Sequence, residues 1–260
     1  MTAGRGRLGP ALSAATALTF LTRLPVARWS GSEPEDLSRS TPWFPVVGCV
    51  VGILVSVALV AVDAVGPVWL AALAAIVAGL AVTGALHEDG LADVADSAGA
   101  FTVAQKLAVM RDSRVGTYGV LALLIVLMVR FASLSTIASS SAAVVTVIVV
   151  SAHALARWSS VALMAWQPYA RPDSPNGRVA TGVGSREAAL ATAVTVGWLV
   201  LTTAVVGLWW VALVPVVAAV VALAAWWFRR SFGGLTGDCL GATAVAVELS
   251  VLLAGALLQA

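Results

Sequence analysis

The stretch Pro67–Asp96 reads PVWLAALAAIVAGLAVTGALHEDGLADVAD, an apolar run that breaks at Thr83 and Gly84 into a segment holding His87, Glu88, Asp89, Asp93 and Asp96 within ten residues. About 20 consecutive apolar residues are needed for a helix to cross a bilayer. The apolar part therefore reads as a membrane span, and the acids arrive where it meets water. The rest of the chain fits that reading. Of 260 residues, 60% are hydrophobic and 11% charged, whereas soluble domains carry about 25% charged residues. A formal net charge of +2 gives no ground for a nucleic-acid partner. Cys49 and Cys239 are far apart and lack metal-ligand spacing, so no disulfide framework is expected.

Apolar runs place seven spans, at Pro45–Val62, Pro67–Leu86, Tyr118–Ile137, Ala142–Ala165, Ala188–Val206, Gly207–Phe228 and Leu240–Leu258. The expected fold is an all-α polytopic bundle, with residues 1–260 forming one integral-membrane domain. Thirteen of the 15 basic residues then fall on one side: Arg5, Arg7, Arg23, Arg28, Arg39, Lys106, Arg111, Arg114, Arg171, Arg178, Arg186, Arg229 and Arg230. The remaining pair, Arg130 and Arg157, lies within spans. By the positive-inside rule the N-terminus is cytoplasmic and the C-terminus external, which predicts a multi-pass protein of the cytoplasmic (inner) membrane. Ala11–Val26 is too short to cross and has no convincing cleavage site, so it is expected to be an interfacial helix and not a removable signal. The external loops are a few residues long, so a sizeable site must be cytoplasmic or inside the bundle.

On a helix, Asp89, Asp93 and Asp96 stand at i, i+4 and i+7, on one face, where their carboxylates can converge on a hard divalent cation. Oxygen ligands suit Mg²⁺, while zinc would want more His or Cys than His87 offers. A merely solvated face would interleave Lys or Arg with the acids. His87 and Glu88 read either as boundary residues or as a ligand or base. A second cluster, Met110–Gly119, sets Arg111, Ser113 and Arg114 beside Asp112, Gly116 and Gly119. Its guanidinium forks suit phosphate or serve as topology anchors, and its glycines permit close backbone approach. The third, Arg229–Ala242, combines Gly233, Gly234, Thr236, Gly237 and Gly241 with Asp238 at the mouth of the last span. Such a turn entering a helix forms an anion-binding nest. Within the spans, Arg157 reads either as reaching a substrate phosphate or as pairing with Glu248 inside the bundle.

Taken in order, TALTFLTRLPV from Thr16, PWFPVVG from Pro42, His87–Asp96, Asp112–Gly119 and GGLTGDCLGA from Gly233 resemble the cobalamin synthase family over nearly the whole chain. That resemblance implies transfer of cobinamide phosphate from adenosylcobinamide-GDP to α-ribazole or its 5′-phosphate, with release of GMP and a Mg²⁺ requirement. It implies metal binding by Asp89, Asp93 and Asp96, with Asp112 and Asp238 serving a second metal or its outer shell. Asp89 and Asp93 would also be catalytic, and His87 or Glu88 would act as base. Arg111, Ser113, Arg114, Gly116, Arg157, Gly233, Gly234, Thr236 and Gly237 would hold substrate and phosphate. The partners are the two substrates and membrane lipid, with room for a homo-oligomer or a complex with other cobalamin-assembly enzymes. A CDP-alcohol phosphotransferase also sets spaced aspartates at a membrane boundary, but it wants an Ala-Arg pair after the Asp-Gly, where this chain has Leu91-Ala92-Asp93. A transporter would instead place its ionisable groups near the midplane.

Overall fold

The computed structural model describes residues 9–31 and 33–259, so Arg5 and Arg7 lie outside it. Among the described residues the regular structure is helical: α1 (Pro10–Leu21), α2 (Pro34–Ser40), α3 (Phe44–Asp63), α4 (Val68–Thr83), α5 (Leu86–Asp96), α6 (Val103–Val109), α7 (Thr117–Ile137), α8 (Ala142–Trp166), α9 (Pro175–Thr181), α10 (Ser185–Val206), α11 (Trp210–Phe232) and α12 (Gly237–Gln259). Six helices, those ending at Asp63, Ile137, Trp166, Val206, Phe232 and Gln259, are long and apolar enough to cross a membrane. The fold is thus an all-α polytopic bundle. The seventh expected span is a different object, because α4 is followed after Gly84 and Ala85 by α5 at 90°.

Local chemistry makes that corner. Gly84 and Ala85 both adopt left-handed backbone, at φ 64° and 56°, a conformation that terminates right-handed helices and that glycine enters without steric penalty. The Arg23 backbone N–H donates to the Val82 carbonyl at 2.7 Å, and the Ala85 N–H to that of Leu80 at 3.2 Å. The Arg23 side chain lies over Gly84, where a Cβ would come within 3.0 Å of its Cγ. A cation at this C-terminus complements the helix dipole.

α8 is the axis of the bundle and is buried through most of its length. Helices that are apolar on every face occupy such positions. Gly52 lets α3 press against it, since a Cβ there would sit 2.5 Å from the Val150 Cα, and Gly255 does the same for α12 against Ile148 at 2.6 Å. On its other flank, Trp158 Nε1 donates to Thr192 Oγ1 at 2.9 Å and Trp198 Nε1 to Ser151 Oγ at 2.8 Å, tying α8 to α10. α1 has the 12-residue length of a helix that does not cross, and it buries Ser13, Thr16, Ala17 and Leu21.

Candidate active site

α5 and α12 cross with their backbones in contact. A Cβ on Gly90 would lie 2.9 Å from the Asp238 Cα, and one on Gly241 3.2 Å from the His87 carbonyl oxygen. Gly241, expected to shape an anion nest, is therefore a helix-packing glycine. The crossing brings acids from two distant segments together. Asp89 and Asp238 line one cavity of about 190 Å³, bounded also by Phe20, Phe44, His87, Met164, Tyr169 and Asn176. Asp93, one turn beyond Asp89, has its carboxyl pushed up to about 6, first by partial burial and then by the charges of Asp238, Asp89 and Asp96. Acids that raise one another in this way favour a cation between them.

The segment after α8 completes the site. Ala170 N–H donates to the Leu235 carbonyl and Leu235 N–H to that of Pro168, each at 2.8 Å, forming a short parallel bridge between Tyr169 and Leu235. Gly234 is required by this contact, because a Cβ there would lie 2.5 Å from the Pro168 carbonyl oxygen. The bridge sets Tyr169 beside Asp238, and burial followed by the Asp238 charge pushes its phenol up to about 12. The Arg171 charge opposes that shift. Thr236 is fully buried. Its hydroxyl accepts from Cys239 N–H at 3.3 Å, which makes it the cap of α12 and not a substrate contact. Gly237 opens that helix with its Cα hydrogen facing Asn176 Nδ2, which a Cβ would meet at 3.4 Å. Gly233, at φ 76°, has open space around it.

Several expected site residues have other work. Asp96 accepts from Gly116 N–H at 2.7 Å and from Gly119 N–H at 2.8 Å, so it anchors the start of α7, where an anion suits the helix N-terminus. The glycines at 116 and 119 keep room for that carboxylate, not for a phosphate. Asp112 is held by Arg114, with Arg114 Nη2 at 2.6 Å and Nε at 2.9 Å, and this pairing keeps its carboxyl down at about 2. The pair is exposed and self-contained, so neither partner joins the acids of α5. Ser113 and Arg111 are exposed. Arg111 follows Met110, whose sulfur lies 3.8 Å from Thr236 Oγ1 and fixes this turn near the start of α12.

Glu88 is corrected most clearly. It is buried, with Oε1 2.5 Å from Arg130 Nη1, while Arg130 Nε lies 2.8 Å from Glu248 Oε1. Arg157 is buried too: Nη1 is 3.0 Å from His153 Nδ1 and 3.8 Å from Glu248 Oε2. Arginine can only donate, so that His153 nitrogen accepts. Glu88 is therefore an ion-pair partner and not a base, and Arg157 does not face phosphate. A cavity of about 30 Å³ borders this network. His87, 7% exposed, lines both it and the larger cavity.

Among the described residues no group of three or more His, Cys, Asp or Glu side chains is placed to hold a metal ion. The donor set still fits Mg²⁺, which is typically held by one or two carboxylates with waters and substrate phosphates filling the octahedron. Asp89 and Asp238, on one cavity, are a pair of the kind such a site uses.

Residues 13–256 match the family model described as Cobalamin-5-phosphate synthase. A protein of Shewanella woodyi named adenosylcobinamide-GDP ribazoletransferase is 37% identical over 246 residues, covering 91% of this chain and 92% of its own. Proteins of the same name from Ralstonia nicotianae and Bradyrhizobium diazoefficiens are 36% and 38% identical, covering 91% and 94% of this chain and 91% and 92% of their own. No solved structure matches the chain.

Proposed function

The chain belongs to the cobalamin-5-phosphate synthase family, and from that premise we propose how its own residues perform the family's reaction. The protein is a transferase of cobalamin biosynthesis that joins adenosylcobinamide-GDP to ribazole in nucleotide-loop assembly. A ribazole hydroxyl attacks the phosphorus on the cobinamide side of the diphosphate. A new O–P bond forms, the bridging P–O bond breaks, and GMP leaves with that oxygen. α-Ribazole and its 5′-phosphate are both acceptors chemically suited to this step.

Asp89, Asp93 and Asp238 would hold Mg²⁺, which when bound supplies positive charge to the phosphoryl oxygens. Arg171, next to the Ala170–Leu235 bridge, and Arg111, next to the Met110–Thr236 contact, both lie near the start of α12 and would offer forked donors to the diphosphate. His87 would take the hydroxyl proton, a reading supported by its reach to the cavity and by the pairing of Glu88 with Arg130. The observation that carries this reading is the meeting of Asp89 and Asp238, from helices remote in sequence, on one cavity. Its test is to incubate detergent-solubilised protein with adenosylcobinamide-GDP, α-ribazole and Mg²⁺. Cobalamin and GMP are expected in equal amounts and only with metal. Product at full rate in chelator would remove Mg²⁺ from the mechanism.

The charge sorting supports a cytoplasmic-membrane protein whose site faces the cytoplasm. Reporters placed near Lys106, Arg178 and Arg230 should then register cytoplasm and a C-terminal reporter the outside. A cytoplasmic C-terminus would overturn this orientation. Association with itself or with other cobalamin-assembly enzymes fits a pathway that hands on a large corrinoid in the membrane.

A further inference from the structure

The 190 Å³ cavity has an unlike lining. Asp89, Asp238 and His87 are its charged and titratable members, and most of the rest is apolar, including Phe20, Phe44, Met164 and Leu240. Phe20 and Phe44 lie stacked, with ring centroids 5.9 Å apart and planes 18° from parallel. Among the described residues no Lys or Arg lines this space. A diphosphate bound wholly inside it would find no cationic side chain, only the metal that Asp89 and Asp238 would hold. A corrin macrocycle is far too large for it.

We propose that this cavity seats the base of the acceptor nucleoside. Ribazole carries a fused, apolar bicyclic base that suits a wall of aromatic and aliphatic side chains. Its sugar then points toward Asp89 and Asp238, which brings a hydroxyl to the acids while the diphosphate of the other substrate approaches from outside, on the Arg171 and Arg111 side. The two substrates thus occupy opposite sides of the acid cluster, the geometry that in-line displacement at phosphorus requires. The inference rests on the ribazole-transfer reading and adds to it which substrate takes the cavity.

Two variants of the full chain test it. Phe20→Ala trims a ring that is 44% exposed, so the fold should tolerate it, and Leu240→Trp fills the cavity from α12. Equilibrium dialysis of labelled α-ribazole against solubilised protein, and steady-state kinetics with each substrate varied, are the readouts. Both variants should weaken ribazole binding and raise its KM about tenfold, the scale of one lost aromatic or aliphatic contact face. The KM for adenosylcobinamide-GDP should stay within about twofold. Unchanged ribazole binding in both variants, or an equal rise in KM for the GDP substrate, would overturn the assignment. Wild-type protein that binds ribazole in this way but forms no cobalamin would overturn the reaction reading and leave the seat standing.

Discussion

The carboxylate of Glu88 points into the bundle, 2.5 Å from Arg130, whereas that of the next residue, Asp89, opens onto the cavity beside Asp238. The two regions contain similar chemistry under opposite conditions. Inside, Glu88 and Glu248 meet Arg130 and Arg157, so every charge has an opposite charge at hand. Outside, Asp89, Asp93 and Asp238 crowd together, and among the described residues Arg171 is the cation that acts on Asp238. Burial without a partner costs several kcal/mol per ion, so the inner set has to be balanced for the helices to assemble. The outer set is tolerable beside water and becomes favourable once a cation arrives. Pairing marks the carboxylates that hold the helices together, and crowding marks those left for substrate and metal.

Removing the inner cation is the strongest way to break this contrast. Arg130→Met leaves two buried carboxylates without their main partner, and a destabilisation of about 3–5 kcal/mol is expected. Thermal unfolding in detergent would register it as loss of the folded form. A melting curve like that of the wild type would mean the network contributes little. The outer acids should behave in the converse way. Asp89→Asn and Asp93→Asn should melt normally yet lose roughly 10²-fold in turnover, with a raised Mg²⁺ requirement. Asp63→Asn, at the far end of α3, serves as the control. Wild-type metal dependence in both variants would defeat the assignment.

Asp96 sharpens the line between the two sets, since it shares the acidic face of α5 but is engaged by backbone N–H groups. Asp96→Asn keeps one acceptor oxygen and loses the charge, so a stability loss of about 1–2 kcal/mol is expected without a change in metal requirement. A shifted Mg²⁺ titration would return Asp96 to the metal site. The smallest effect belongs to Arg114→Ala. Its guanidinium is engaged by Asp112 at the surface, and turnover should stay within about twofold. Arg111→Ala, by contrast, should raise the KM for adenosylcobinamide-GDP more than that for ribazole. Equal kinetics in both arginine variants would reduce Arg111 to a topology anchor.

The spans were legible because lipid imposes a length and composition that twenty residues display locally. α3, α7, α8, α10 and α12 begin and end within a few residues of the apolar runs. The acidic face of α5 was legible for the same reason, since i, i+4 and i+7 is a local relation. Which of its acids would be paired was not. Arg130 is 42 residues from Glu88 and 118 from Glu248, and no local pattern carries such a separation. Asp238 stands out in the sequence for its glycines, but two of the four serve close backbone contacts: Gly234 with Pro168 and Gly241 with His87. Tyr169 and Arg171 lie in an irregular segment and Asn176 in the seven-residue α9, too short for a helical period to mark a face. The available signal was Tyr169-Ala170-Arg171 set between Pro168 and Pro172, a rigid polar loop following directly on a buried span.

The corner at Gly84 and Ala85 has a consequence for depth. α4 has 16 residues, which at 1.5 Å each give it a length of roughly 24 Å. The hydrocarbon layer is about 30 Å thick. α4 by itself is therefore shorter than a full perpendicular crossing, and the 90° corner puts α5 where α4 stops. The acids of α5 are thereby carried sideways from the end of α4, across the bundle to α12, instead of onward along the axis of α4.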